Sequence, residues 1–355
     1  MDWDDQPLQG RLAERVTMSF DASAASSALG ADVIASILGP DAPGAVSAGL
    51  CEVLRRLDVR STMVVLEVGT GAGFSTAVLA RLVGRAGWVI TVEPVPQLAG
   101  CADAMLADRL DGNVVELRLA DACGAPEHGP FDRIVGWYPM RVVPRAWCAQ
   151  LHPKGSIVVP LAPAPLAAAG LLIHISVGEK GVPRVREVFE ACLPPREAPG
   201  RVRGAPPQWG VDVLDYDESA RPWWLSSAWM RTPDGYQAGR GLLHCLIRNR
   251  EHVAGPLGAD ESVADFRAWL LATGAEGITT CGTEPWGIGW SDPEGVAVVD
   301  SSCGARSLAA GSPRAIEVLT GWVQDWRDAG RPGAAQLGAR LVEVHDGWRL
   351  QAALA

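Results

Sequence analysis

Lysine is nearly absent from the chain. Of 31 basic residues only Lys154 and Lys180 are lysine, a bias that reads as GC-rich codon usage rather than function. There is no basic tail or stripe either. Acids outnumber bases 41 to 31, and the net charge of −10 is spread evenly on either side of residue 200. That excludes nucleic acid and an anionic membrane surface from the expected partners. No signal-peptide pattern opens the sequence, because MDWDDQPLQGRL carries acids where such a segment carries positive charge. The most apolar stretch, residues 160–177, is interrupted by three prolines and by His174, too broken to span a bilayer. These absences predict a soluble, cytoplasmic protein. The eight cysteines form no C-x-x-C pair and do not cluster with the six histidines. No metal site is expected from them, and they read as buried, reduced thiols. Phenylalanine and tyrosine are scarce, at five and three, whereas tryptophan reaches 14, mostly after residue 200.

What is present is ordinary globular composition, 48% hydrophobic and 20% charged over 355 residues, long enough for two domains. Residues 1–43 are weakly periodic and form an N-terminal segment. From Ala45 the pattern sharpens. Val46, Leu50, Val53, Leu54 and Leu57 recur at helical spacing. Short β-branched runs at 64–68, 88–93, 114–120, 133–137 and 156–161 then alternate with helical segments at 74–83, 95–110 and 144–151. Strands alternating with helices predict an α/β fold, a Rossmann-like sheet with helices on both faces. Residues 171–177 and 185–193 flank GEKGVP and predict an antiparallel hairpin. The Pro- and Gly-rich stretch 194–210 reads as a connection, which divides the chain into a domain over 44–200 and a smaller α+β domain over 201–355. In the latter, strands are expected at 242–248, 295–300 and 340–345, with helices at 263–273 and 313–328. Ser262 with Asp265, and Ser312 before Pro313, are the start signals of those helices.

The chemistry-bearing motif is V-L-E-V-G-T-G-A-G-F at 65–74, a strand running into a glycine loop and then a helix. Glycines there let the backbone approach a ligand without Cβ clashes, and the helix start offers free N–H groups. A dinucleotide fingerprint wants G-x-G-x-x-G. Here Phe74 stands where the third glycine belongs, which counts against a nicotinamide-dependent dehydrogenase. Three carboxylates end the first three strands. Glu67 lies within the first and suits a cationic amino-acid group. Glu93 ends the second, where an acid accepts from ribose hydroxyls. Asp121 ends the third, placed for the amino group of adenine. Sulfonium and ammonium, ribose and adenine together describe S-adenosyl-L-methionine. The candidate cofactor-binding set is Glu67, Gly69, Thr70, Gly71, Gly73, Glu93, Asp121 and Ala122.

These residues carry a family resemblance. LEVGTGAGFSTAVLARLVGRAGWVITVE and FDRIVGWYPMRVVPRAWCAQLHPKGSIVVPL resemble the protein-L-isoaspartate O-methyltransferase family over about residues 44–193. The turn at Val143–Trp147, the turn at Leu151–Gly155 and the strand IVVPL share in it. The extension with WRDAGRPG (326–333) resembles the subset of that family that methylates an aspartate in ribosomally made peptides such as lanthipeptides and graspetides. The ester there closes to an aspartimide. The resemblance implies a carboxyl O-methyltransferase with a peptide partner, the runners-up being isoaspartate repair and a non-catalytic binding module built on the cofactor fold. One departure bears on substrate. The family's Ser-Gln-Pro-like turn, which helps hold the substrate carboxylate, is replaced by Ala45, Val46 and Ser47.

Such a reaction needs no strong base, because a carboxylate is already ionised at neutral pH. It needs alignment and exclusion of water. The substrate-orienting candidates are Ser47, Arg141 and Arg145, the two arginines lying in the loop after the fourth strand, at the edge where ligands bind in such sheets. Trp223, Trp224, Trp286 and Trp290 are either core residues or a peptide-binding surface.

Overall fold

The run VVLEV has no polar alternation, as expected of a strand covered on both faces. It forms β1 (Val64–Val68), in which every residue after Val64 is buried. The computed structural model describes residues 48–109, 114–120, 129–178, 181–190, 209–248, 252–282, 286–301 and 303–354. The expected segment 1–43 lies outside them, as does 194–208 of the expected connection. The chain divides into two compact units. The first holds Met1–Gly124, Pro130–Val135 and Ala191–Arg196; the second holds Ala125–Gly129, Gly136–Glu190 and Glu197–Ala355.

In the first unit α1 (Ala48–Leu57) leads to β1, and α2 (Phe74–Val83) connects β1 to β2 (Trp88–Glu93). α3 (Pro96–Arg109) connects β2 to β3 (Val115–Leu119), and β4 (Phe131–Gly136) completes the order β3-β2-β1-β4. β1 and β2 pair in parallel from Val64↔Trp88 to Val68↔Val92. β2 and β3 do so from Val89↔Val115 to Glu93↔Leu119. These registers bring the carboxyl ends of the three strands to one edge, where a Rossmann-like sheet binds its ligand. Leu54 and Leu57 of α1, Leu79 and Val83 of α2, and Leu98 and Leu106 of α3 are buried. All seven predicted elements of this unit are present, with ends shifted by a few residues at most.

The second unit begins with β5 (Val143–Pro144), α4 (Arg145–Ala149) and β6 (Leu151–Leu161). Pro144 caps α4 instead of occupying its first turn. β7 (Leu171–Val177) and β8 (Pro183–Phe189) form the expected antiparallel hairpin, with a bulge between His174 and Ile175. Beyond residue 208 follow β9 (Val213–Tyr216), β10 (Pro222–Ser227), α5 (Pro233–Arg248), β11 (His252–Ala254), α6 (Val263–Thr273) and β12 (Ile278–Gly282). Then come β13 (Gly287–Ser291), β14 (Gly295–Asp300), β15 (Cys303–Gly311), α7 (Arg314–Asp328), β16 (Gly338–Val344) and β17 (Gly347–Ala353). Seven of the strands make an antiparallel sheet in the order β11-β15-β14-β13-β12-β10-β9; β16 and β17 form a hairpin that pairs with β5.

Residues 242–248 are the second half of α5, not the expected strand. The helix starts upstream at Pro233, with the Thr232 hydroxyl accepting from Gly235 N at 3.1 Å. Its buried positions are Gly235, Gly239, Leu242, Leu243 and Leu246, a spacing of 3.6 and not 2. The leucines close a core with Val213, Trp223, Leu225, Met230, Val296 and Val298. α6 starts as expected, Ser262 Oγ accepting from Asp265 N at 3.1 Å. It is buried from Phe266 through Ala272, including Arg267. Phe266 meets the α7 residue Trp326 edge-on at 5.8 Å.

One expectation needs correction. The thiols are not uniformly buried. Cys148 and Cys281 are, and burial pushes their pKa values up to about 11 and about 12. Cys101 and Cys245 lie on the outward sides of α3 and α5 and are exposed. The tryptophans at 223, 224 and 290 are buried packing residues, and Trp286 lies beneath the Arg267 guanidinium, 5.1 Å from it. Among the described residues no helix is long and apolar enough to cross a membrane.

Candidate functional site

The glycine loop is tied to the end of β2 by its own backbone. Gly69 N and Thr70 N both donate to Val92 O, at 2.8 and 3.2 Å. Gly69, Gly71 and Gly73 all have positive φ, of 100°, 59° and 88°, a run that an L-residue with a Cβ resists. Gly73 precedes α2 in the left-handed region. A Cβ there would lie 2.7 Å from the Met105 methyl and 3.3 Å from Ala102 Cβ, so this glycine also sets how closely α3 approaches the loop.

Glu93 closes the loop from the other side. It is 1% exposed. Its carboxylate accepts from Gly71 N at 2.8 Å and from Val95 N at 3.2 Å. An ionised carboxylate offers about four acceptor positions, and these amides take two of them. Ala120 N donates to Glu93 O at 3.3 Å, which brings the chain after β3 to the same edge. The candidates that follow, Asp121 and Ala122, lie outside the described residues, as does Ser47 before α1.

The structure gives Glu67 a different task from the expected contact with a cationic ligand group. The side chain is fully buried. Thr91 Oγ1 donates to it at 2.7 Å, and Ser75 Oγ and Thr76 Oγ1 each donate at 2.5 Å. Each hydroxyl has a single proton. Thr91 therefore gives its proton to Glu67, and the 2.6 Å contact between Thr70 and Thr91 runs from Thr70 to Thr91. A relay of hydroxyls links loop, β2 and the first turn of α2 to one buried anion. Reading the sequence missed Ser75, Thr76 and Thr91. The available signal was polar hydroxyls at the start of an apolar helix and inside an apolar strand.

The arginine candidates separate. Arg145 Nη1 pairs with Glu343 at 2.7 Å, Nη2 donates to Val344 O at 2.9 Å and Nε to His345 O at 3.2 Å. Its guanidinium also lies 6.0 Å from the Trp348 ring centroid. The expected orienting role does not suit a side chain spent on holding the β16–β17 hairpin. Arg141 is exposed and lines a groove of about 460 Å³ within the second unit.

Residues 41–170 match the protein-L-isoaspartate(D-aspartate) O-methyltransferase (PCMT) family. The glycine loop, Glu93 and both arginines fall inside the matched span, and the whole antiparallel sheet falls outside it. A protein-L-isoaspartate O-methyltransferase of Anaeromyxobacter sp. is 47% identical over 128 residues, 36% of this chain and 58% of its own length. Another from Anaeromyxobacter dehalogenans is 43% identical over 136 residues, 38% of this chain and 61% of its own. The chain thus spans under two thirds of these relatives. A solved protein-L-isoaspartate O-methyltransferase aligns at 17% identity over 86% of this chain and 80% of that one, with a TM-score of 0.39.

Proposed function

We propose that the protein is an S-adenosyl-L-methionine-dependent carboxyl O-methyltransferase that esterifies an aspartate or isoaspartate carboxylate in a peptide. The observation that carries this is Glu93, a buried carboxylate at the carboxyl end of β2 that holds the glycine loop by Gly71 N. An acid in that place accepts from ribose hydroxyls. The loop fits the cofactor: its three positive-φ glycines keep side chains off the ligand's path. Glu93 would hold the ribose, and the loop backbone would lie against the amino-acid portion. Glu67 would keep the loop in shape from beneath. When bound, the cofactor supplies a methyl group from its sulfonium to a carboxylate oxygen. The chain's part is to align that oxygen and keep water away from it.

The finer reading is an aspartate in a ribosomally made peptide, whose methyl ester is displaced by the next residue's amide nitrogen to give an aspartimide as methanol leaves. The match to the repair family ends at residue 170, and a seven-stranded antiparallel sheet is made wholly of later residues. That supports a dedicated peptide substrate, with 201–355 supplying recognition. Repair of isoaspartate is the second reading, favoured by the names of the curated relatives. Incubation with S-adenosyl-L-methionine and matched aspartyl and isoaspartyl peptides separates the two. A methyl group that is gained on the aspartyl peptide, is lost in mild base and gives way to net loss of one water supports the first. Methylation of the isoaspartyl peptide alone supports repair. A methyl group stable to base overturns both, since esters hydrolyse there and N-methyl groups do not.

A further inference from the structure

We propose that the groove within the second unit, between Arg141 and Arg349, binds an acidic segment of the peptide substrate. The proposal rests on the reading of a peptide substrate and adds what recognises it. The groove has a volume of about 460 Å³, within the range of roughly 300–1,000 Å³ usual for ligand sites. Its walls come from three places: the loop after β4 with the segment after β6, the last turn of α6, and the β16–β17 hairpin. Two of the three lie outside the span shared with the methyltransferase family, so the groove is a feature of this chain's extension.

Its charge is opposite to that of the protein. The chain carries a net −10, yet among the described residues no acid lines the groove and two arginines do. Arg141 and Arg349 are both exposed. The neighbouring arginines are engaged elsewhere: Arg145 pairs with Glu343, and Arg340 Nε donates to Gln351 Oε1 at 2.9 Å. Arg349 lies opposite Val342, and Arg340 opposite Gln351. Opposed residues of an antiparallel pair share a face, so Arg349, Gln351 and Arg340 line one side of the hairpin. Glu343 and Trp348, which serve Arg145, are on the other. Two planar guanidinium groups with free donors call for carboxylates or phosphates.

The rest of the lining favours a peptide over a bare anion. Pro163 and Pro165 contribute no N–H, and the last turn of α6 carries the negative end of its helix dipole. Such a wall offers acceptors, which suit peptide N–H groups and repel phosphate. A chain with acidic side chains and a backbone satisfies both sides at once.

Fluorescence anisotropy on the full-length protein tests this, with a short fluorescein-labelled Asp/Gly peptide and its Asn/Gly counterpart as probes. Tighter binding of the Asp peptide, weakened by added salt and at least tenfold weaker in Arg349→Glu and in Arg141→Glu, is the expected result. Arg349→Lys should retain part of the affinity. Equal affinity for the Asn peptide overturns the proposal without recourse to any variant, as does undiminished binding by both Glu variants. Calorimetry with S-adenosyl-L-homocysteine on the same samples keeps the two readings apart. Cofactor binding without Asp-peptide binding removes the groove alone. Peptide binding without cofactor binding removes the methyltransferase reading and leaves the groove.

Discussion

Glu93 and Glu67 are both buried carboxylates of the same loop, and replacing each by glutamine should hurt different properties. Glu93→Gln keeps an amide oxygen for Gly71 N, now 2.8 Å from the carboxylate, and so leaves most of the loop in place. It removes the charge toward which ribose hydroxyls would donate. Hydrogen bonds to charged groups contribute about 1.5–3 kcal/mol against about 0.5–1.5 for neutral ones. The difference, about 1–1.5 kcal/mol, corresponds to roughly tenfold weaker binding of S-adenosyl-L-homocysteine. Glu93→Ala also strands Gly71 N and Val95 N, and affinity should fall by a further order of magnitude. Glu67→Gln should behave the other way round. Three hydroxyl protons converge on its two oxygens. An amide nitrogen in place of one oxygen would face donors in a fully buried site, costing about 1–3 kcal/mol of stability and little affinity beyond that. Urea denaturation with calorimetry on each variant measures both quantities. Wild-type affinity in Glu93→Gln would refute the ribose assignment. Lost affinity with unchanged stability in Glu67→Gln would return Glu67 to direct contact with the ligand.

Gly73→Ala should lower stability by about 1–2 kcal/mol, the cost of a Cβ in the left-handed region, and Met105→Ala in the same chain should relieve only the contact with the methyl at 2.7 Å; an unchanged melting curve would show that the loop relaxes. Arg267→Ala leaves Glu190 and the carbonyls of Ala168 and Gly170, held now at 2.6, 2.7 and 2.7 Å, without their donor, and breaking such a buried pair should cost about 3–5 kcal/mol in chemical denaturation. The Arg327 and Arg331 guanidinium groups hold the Glu261 carboxyl at about 2, below its ordinary 4.5. Its contribution is therefore present above pH 4.5 and is lost as pH falls towards 2, so Glu261→Gln should flatten stability over that interval, and an identical acid limb in the variant would refute the pairing. A chain cut after residue 200 should be insoluble, because it leaves Ala167 O without the Thr280 hydroxyl and Glu190 without Arg267; a soluble, cooperatively melting truncation would show that the extension is dispensable for folding.

The first unit was legible because each of its elements is specified twice. β1 and β2 are continuous apolar runs of the length a doubly covered strand needs, and each is stopped by glycine or an acid followed by a helical repeat. Local pattern and tertiary demand agree there. They diverge after residue 208. β12 is ITTCG, short and ended by glycine, and β13 is GIGWS, with two glycines and one β-branched residue. What holds them as strands is close approach of backbones. A Cβ on Gly289 would lie 2.1 Å from Ala297 O, and one on Gly287 would lie 2.7 Å from Val299 O. Glycine weakens a strand by propensity and permits it by sterics, and only the neighbouring strand decides which effect wins. LLHCLIR errs in the opposite direction, since its seven residues look like a buried strand until the glycines at 235 and 239 are seen to lie on the same helical face as Leu242 and Leu246.

The same logic explains why the arginines could not be sorted in advance. Arg141 and Arg145 lie four residues apart in one loop and helix start, and both were equal candidates for a substrate carboxylate. Their fates are decided two hundred residues later, at the β16–β17 hairpin. Arg145 meets the face with Glu343 and Trp348 and is bound there. Arg141 lines the groove with Arg349, on the face that supplies no acid. A hairpin has two faces because side chains alternate, and here one face neutralises a cation while the other presents two. The hairpin thus changes the electrostatics of a loop two hundred residues before it.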